Sequence, residues 1–170
     1  MTPLDSAATM TNHADTTLTE NATENDNTTT IATRFGTFEI DPAKAIEMPQ
    51  GPIGFTDLKS FAILDAPDAP NSPFKLFQSL EDPGVTFLVT VLPAESDLIE
   101  DADLQAACDS YAIDRENAAY LLIVKVRQQP DGTAQTTVNL RAPLLVDSLH
   151  RVARQAVFAG EKYSMQYQIG

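Results

Sequence analysis

The sequence has no tryptophan, one cysteine and two histidines among its 170 residues. A single cysteine excludes an intramolecular disulfide and is typical of proteins in a reducing compartment. So few thiols and imidazoles leave a zinc site without enough nitrogen and sulfur ligands. The longest apolar run, "AAYLLIV", has seven residues, whereas a membrane span needs about 20. We therefore expect a cytoplasmic protein with no membrane segment, no metal and no cofactor.

Basic side chains are also scarce, with 11 Lys and Arg against 24 Asp and Glu and a formal net charge of -13. Such a field repels the phosphates of nucleic acids and favours basic partners, so direct nucleic-acid binding is not predicted. The acidic residues concentrate between positions 95 and 116, where Arg115 is the one basic residue. This segment is either a solvated helix face or an acidic docking surface for a basic partner.

Residues 1–30 differ from the rest of the chain. Ten of them are threonine, four are asparagine and five are acidic, and none is Lys, Arg or aromatic. This composition cannot bury enough apolar surface to offset the entropy of ordering, which predicts a disordered tail. The segment also lacks the basic and apolar regions of a secretory signal. We expect one folded domain over residues 31–170.

Within the domain, the hydrophobic pattern has mostly the period of two that is typical of β-strands. "VTFLVTV", residues 85–91, alternates apolar residues with threonine, and prolines lie on both sides of it. A hairpin is predicted at "PDG", residues 130–132, because proline suits the first central position of a turn and glycine accepts a positive φ.

One short helix is predicted over residues 101–111, where Leu104, Ala107, Cys108 and Tyr111 share a helical face. The segment "LHRVARQAVF", residues 149–158, fits either a helix or a strand. Many short strands, Gly/Pro turns and one short helix predict a mainly β fold, a small antiparallel β-barrel-like domain that follows the disordered tail.

The stretch "EMPQGPIGF", residues 47–55, combines two glycines with two prolines. It lacks the Gly-Lys-Ser/Thr of a phosphate loop and the three spaced glycines of a dinucleotide site, so it is interpreted as a rigid turn. Cys108 is interpreted as a buried structural thiol. No nucleophile elbow accompanies His150, and the acidic segment lacks the aromatic platforms of a sugar-cleaving carboxylate pair. We predict no catalytic residues and no enzymatic activity.

Four motifs in series resemble one protein family. They are "MPQGPIGF", "LFQSLEDPGVTFLVTVLP", "TTVNLRAPLLVD" and "RQAVF", and they span about Thr33 to Tyr163. Together they are similar to the flagellar assembly factor FliW family, although Met48 stands where that family usually has phenylalanine. The resemblance implies a barrel-like fold and a strand hairpin at residues 149–158. It also implies structural roles for ten motif residues: Pro49, Gly51, Gly54, Gln78, Ser79, Pro83, Asn139, Leu140, Pro143 and Gln155.

The resemblance also implies a function. Proteins of this family bind newly made flagellin in the cytoplasm and, when free, bind the translational repressor CsrA, which relieves repression of flagellin synthesis. Flagellin would then contact an apolar patch, for which the candidates are Ile53, Phe55 and Phe74, while Phe77 is assigned to the core. The acidic surface facing CsrA would comprise Glu95, Asp97, Glu100, Asp101 and Asp103. The alternative is a repurposed β-barrel adaptor that binds another basic or helical protein, and in either case we expect a monomer.

Overall fold

The structure is a computed structural model that describes residues 27–170. Most of the predicted disordered tail, residues 1–26, lies outside the described residues, and the expectation for it stays a prediction. The first strand begins at Thr29, two residues before the domain boundary expected at Ile31. Thr29 and Thr30 pair with the strand that follows, so they belong to the folded domain.

The described residues form eleven strands and one α-helix, so the mainly β class is confirmed. In chain order these are β1 Thr29–Thr33, β2 Gly36–Ile40, β3 Ile46–Glu47, β4 Ser60–Asp65, β5 Phe74–Ser79, β6 Thr86–Val91, α1 Asp101–Ser110, β7 Ala118–Gln128, β8 Ala134–Val138, β9 Leu144–Asp147, β10 Val152–Gln155 and β11 Tyr167–Gln168.

Seven strands form a closed ring in the order β7-β6-β5-β4-β3-β10-β9, because β7 pairs with β9 as well as with β6. The pairs are antiparallel, except that β10 and β3 run parallel through one residue pair, Val152 and Glu47. β8 and β11 extend the sheet outside the ring, and β1 and β2 form a separate hairpin. Closure leaves the ring strands with few free edges.

Both predicted hairpins are present. β7 and β8 pair across the turn at residues 130–132, where Gly132 has a φ of +85°. β9 and β10 pair across a turn at residues 148–151, which decides the ambiguous segment in favour of a strand. A helix would place Leu149 on one apolar stripe with Val152, Ala153, Ala156 and Val157, but Leu149 is exposed in that turn.

Side chains inside the ring form the inner core, to which all seven ring strands contribute. Its buried members are Ile46, Met48, Phe61, Phe77, Val89, Leu121, Leu144, Val146 and Ala153. The rings of Phe61 and Phe77 stack with centroids 4.5 Å apart. Alternate residues of β7 point the other way, into an outer core that α1 covers. The two-residue period of β7 therefore serves two cores at once.

Helix α1 confirms the predicted apolar face, since Leu104, Ala107 and Cys108 are buried in the outer core. Its first turn carries Asp101 and Asp103, where carboxylates complement the positive end of the helix dipole. The sulfur of Cys108 lies 2.9 Å from the hydroxyl of Tyr120, which donates to the carbonyl of Leu104 at 2.8 Å. This burial confirms the structural reading of the thiol.

Candidate protein-binding surfaces

The loop at residues 48–58, here called the Gly/Pro loop, covers one end of the ring. Met48, the first residue of the loop, is fully buried in the inner core. The ring of Phe55 meets that of Phe87 edge-on with centroids 5.3 Å apart. Within the loop, the Gly51 N–H donates to Met48 at 2.8 Å and the Phe55 N–H donates to Pro52 at 2.8 Å. The loop is thus a pair of consecutive turns closed against the ring.

Two family-motif residues fix the Gly/Pro loop in place. Gly51 has a φ of +64°, and a Cβ at this position would lie 2.5 Å from the carbonyl oxygen of Phe55, so only glycine fits. The side-chain oxygen of Gln155 accepts the N–H of Ile53 at 2.8 Å, while its amide nitrogen donates to the carbonyl of Ala142 at 3.1 Å. Gln155 therefore ties the loop to the segment between β8 and β9.

The loop presents two apolar side chains to solvent. Ile53 is 63% exposed and Phe55 is 40% exposed, so both side chains are accessible to a partner although the loop packs against the ring. The structure does not bring Phe74 to the same place. Phe74 lies at the start of β5, half-buried against the outer core, whereas Phe55 packs on Phe87, at the far end of the neighbouring strand. Phe77 is fully buried, as assigned from the sequence.

The remaining motif residues act within turns and the core. Gln78 is fully buried, and its amide nitrogen donates to the carbonyls of Ser79 at 2.9 Å and Val85 at 3.2 Å. The hydroxyl of Ser79 accepts the N–H of Asp82 at 3.0 Å, which closes the turn that contains Pro83. These bonds satisfy polar groups that burial would otherwise leave unpaired.

A second motif group shapes the chain before β9. The side-chain oxygen of Asn139 accepts the N–H groups of Arg141 at 3.0 Å and Ala142 at 3.2 Å. Leu140 precedes these two residues and Pro143 follows them, and both are buried. Of the other motif residues, Pro49 and Gly54 are exposed in the Gly/Pro loop. The carbonyl of Pro49 accepts a hydrogen bond from the Lys59 ammonium.

The five acids predicted to face a basic partner lie before α1 and in its first turn. Three of them are paired with two cations. Lys162 lies 2.8 Å from Glu100 and 2.7 Å from Asp103, and Arg115 lies 2.7 Å from Asp101. Within residues 27–170, Glu95 and Asp97 are exposed and form no salt bridge. The unneutralised part of the acidic surface is therefore smaller than the sequence suggests.

The C-terminal segment holds the start of α1. The Lys162 ammonium and the Tyr163 hydroxyl both donate to Asp103, and these hydrogen bonds lower the pKa of that carboxyl below its ordinary value. The Tyr163 hydroxyl also accepts the N–H of Glu100 at 3.1 Å. Sequence reasoning missed these two residues, because nothing local to Lys162 indicates a partner some sixty positions earlier.

Among residues 27–170, no group of His, Cys, Asp and Glu side chains is placed to hold a metal ion, and no helix is long and apolar enough to cross a membrane. The fold and its surfaces define the class: a small, mainly β domain built on a closed ring of strands, with a rigid apolar loop at one end and an acidic patch beside its helix.

The family follows from comparison with known proteins. The family model described as "FliW protein" matches residues 29–169, and the chain belongs to this family. The chain is 33% identical over 142 residues to the flagellar assembly factor FliW of Syntrophus aciditrophicus, covering 81% of this chain and 84% of that protein. It is 32% identical over 136 residues to the flagellar assembly factor FliW of Geotalea uraniireducens, covering 79% and 80%.

A solved structure agrees with the fold. A crystal structure of the flagellar assembly factor FliW superimposes with a TM-score of 0.63 over 82% of this chain and 96% of its own, at 24% identity. The resemblance found in the four sequence motifs is thus confirmed. Residues 1–28 lie outside the family match.

Proposed function

We propose that this chain binds flagellin in the cytoplasm and, when free of flagellin, binds the translational repressor CsrA and thereby relieves repression of flagellin synthesis. The observation that carries the proposal is the family match over residues 29–169, nearly the whole described domain. The relatives that share this match are flagellar assembly factors. Partner binding of this kind needs no catalytic group.

The flagellin site is assigned to the exposed apex of the Gly/Pro loop, formed by Ile53 and Phe55. The glycine conformation at Gly51 and the bond from Gln155 hold this apex in one shape before any partner arrives. Preorganisation of this kind reduces the entropy lost on binding. An amphipathic helix could then place its apolar face on the two side chains, which is a common mode of recognition. Phe74, at the opposite end of the neighbouring strand, would belong to a separate contact.

Calorimetric titration of flagellin into the full chain tests this assignment with two matched variants. Ile53→Ser removes the apex side chain, and Leu149→Ser removes a side chain of similar exposure, 64% against 63% for Ile53, from the turn between β9 and β10. Full burial of an isoleucine contributes about 1.5–3 kcal/mol. Because Ile53 is 63% exposed before binding, Ile53→Ser should weaken binding by about 5- to 25-fold. Equal effects of the two variants would contradict the assignment.

The site for the basic partner is assigned to Glu95 and Asp97, with the paired acids of α1 beside them. An RNA-binding repressor presents basic surface, and a negative patch attached to it disfavours RNA phosphates. The contribution of Glu95 and Asp97 should be to association, because exposed charges steer encounter more than they add affinity. Glu100, Asp101 and Asp103 would contribute less, since Lys162 and Arg115 offset part of their charge.

Charge reversal measures this steering. The double variant Glu95→Lys/Asp97→Lys should associate with CsrA more slowly and with a flatter salt dependence, measured by stopped-flow mixing. The control Glu39→Lys/Asp68→Lys makes the same change in net charge at two other exposed acids. If both pairs change the rate and its salt dependence equally, total charge and not this surface directs association.

A further inference from the structure

The ring has an open end opposite the Gly/Pro loop. Phe87, beneath the loop, lies at the start of β6, whereas Val91 at its end is 52% exposed. A cavity of about 390 Å³ opens at this second end, here called the mouth. Its apolar lining comprises Ile46, Ile63, Ala119, Leu121 and Val146. Ile63 is 42% exposed there although its side chain points to the same face of β4 as the buried Phe61.

Two cations stand at the rim of the mouth. Lys44 and Arg151 both line the cavity, and neither forms a salt bridge with a carboxylate of residues 27–170. The one acid in the lining, Asp147, is already hydrogen-bonded within its own turn. Its carboxylate accepts the N–H groups of Leu149 and His150 and contacts the His150 ring at 2.7 Å. The Arg151 guanidinium also donates to the carbonyl of Ala43. The mouth thus pairs apolar walls with two cations that no carboxylate of residues 27–170 neutralises.

The chain itself enters the domain beside the mouth. Thr28 lines a depression of about 330 Å³ together with Lys44 and Ile63, both of which also line the mouth. Two acids, Glu39 and Asp41, line this depression but not the mouth. The 26 residues that precede the described chain carry five acids and no Lys or Arg. Between residues 11 and 28 the one large apolar side chain is Leu18, and Asp15 and Glu20 lie on either side of it. An acidic segment with a single apolar anchor complements this mouth in both respects.

We propose that the mouth is a docking site for residues 15–20 of the same chain, with Leu18 in the apolar cavity and Asp15 and Glu20 facing Lys44 and Arg151. Nine residues lie between Leu18 and Thr28. An unstructured chain of about ten residues spans about 17 Å on average, enough to reach a cavity that shares Lys44 and Ile63 with the depression at Thr28. Tethering also raises the local concentration of the segment to about the millimolar range, so a weak intrinsic affinity suffices.

Paramagnetic relaxation enhancement in the full chain tests the docking. Thr16→Cys introduces a thiol next to the anchor, and a nitroxide label will attach there selectively because Cys108 is fully buried. We expect the label to broaden the amide resonances of Ile46, Ile63 and Val146. A label at Ala134→Cys, at the far end of the hairpin that begins with β7, serves as control and should leave these three resonances sharp.

A tail variant distinguishes specific docking from random approach without touching the folded ring. Adding Leu18→Ser to the labelled chain should restore the resonances of the mouth, and about 1 M salt, where screening acts within about 3 Å, should restore them in part. Broadening that is absent, or that Leu18→Ser leaves unchanged, would overturn the proposal. Broadening transferred from a labelled to an unlabelled molecule in a mixture would also overturn it, in favour of a second copy at the mouth.

Discussion

Replacing Gly51 with alanine should destabilise the domain much more than the same replacement at Gly54. Both glycines have a positive φ, +64° and +85°, and an L-residue in the left-handed region costs about 1–2 kcal/mol. Alanine also lowers the conformational entropy of the unfolded chain, which offsets about 0.4–1 kcal/mol of this cost. At Gly54 the new methyl group would meet no atom within 4 Å, so the net loss should be about 1 kcal/mol.

At Gly51 the same methyl group would lie 2.5 Å from the Phe55 oxygen, 2.8 Å from the Thr56 Cα and 2.9 Å from the Leu58 oxygen. These are backbone atoms, which cannot turn aside, so overpacking should add about 1–3 kcal/mol. The expected total for Gly51→Ala is therefore about 2–4 kcal/mol, with the difference between the variants arising from the close approach alone.

Urea unfolding followed by circular dichroism measures both variants, a suitable probe because the chain has no tryptophan. The urea concentrations at the unfolding midpoints of the two variants should differ. The dependence of the unfolding free energy on urea should stay the same, since neither variant changes the surface exposed on unfolding. A Gly51→Ala protein as stable as the Gly54→Ala protein would refute the claim that backbone contact at Gly51 holds the Gly/Pro loop.

Other predictions concern the core, the loop and the α1 contact. Phe77→Ala should lower the free energy of unfolding by about 3–5 kcal/mol, and Phe35→Ala, at an exposed site, by far less; urea unfolding compares them. Gln155→Ala removes the acceptor of the Ile53 N–H, and because this bond is exposed and water can replace it, the loss should be about 0.5–1.5 kcal/mol. That amide should exchange its hydrogen faster. The pKa of Asp103 is lowered in the folded state. The ionised carboxylate therefore stabilises the folded protein at pH above the unfolded-state pKa, and this stabilisation is lost as the pH falls through the folded-state pKa. Lys162→Ala should raise the pKa of Asp103 in a carboxylate NMR titration and weaken this acid dependence.

Local features of the fold were predictable from the sequence. The helix over residues 101–111 and the hairpin at residues 130–132 follow from patterns contained within a few residues, and the structure has both. Period-two patterning also indicated the strands. Such signals report which face of an element is buried and where the chain turns, and they need no knowledge of distant partners.

Long-range pairings were not predictable in this way. Closure of the ring depends on β7 pairing with β9 as well as β6, and β9 is separated from β7 in the chain by the whole of β8. The ion pairs within the acidic surface were not predictable either, because Lys162 lies far along the chain from Glu100 and Asp103. Phe74 was grouped with the loop by proximity in sequence. In the structure it pairs with Thr90, near the end of β6, whereas the loop contacts Phe87 at the start of β6.

The most direct test of the proposed function is calorimetric titration of the full chain with the same cell's flagellin, intact and without its terminal segments. The account predicts saturable binding of intact flagellin that is lost when the terminal segments are removed. No binding of intact flagellin, from a chain whose circular dichroism shows the β fold, would contradict the flagellin proposal and leave a ring-shaped adaptor for a different partner.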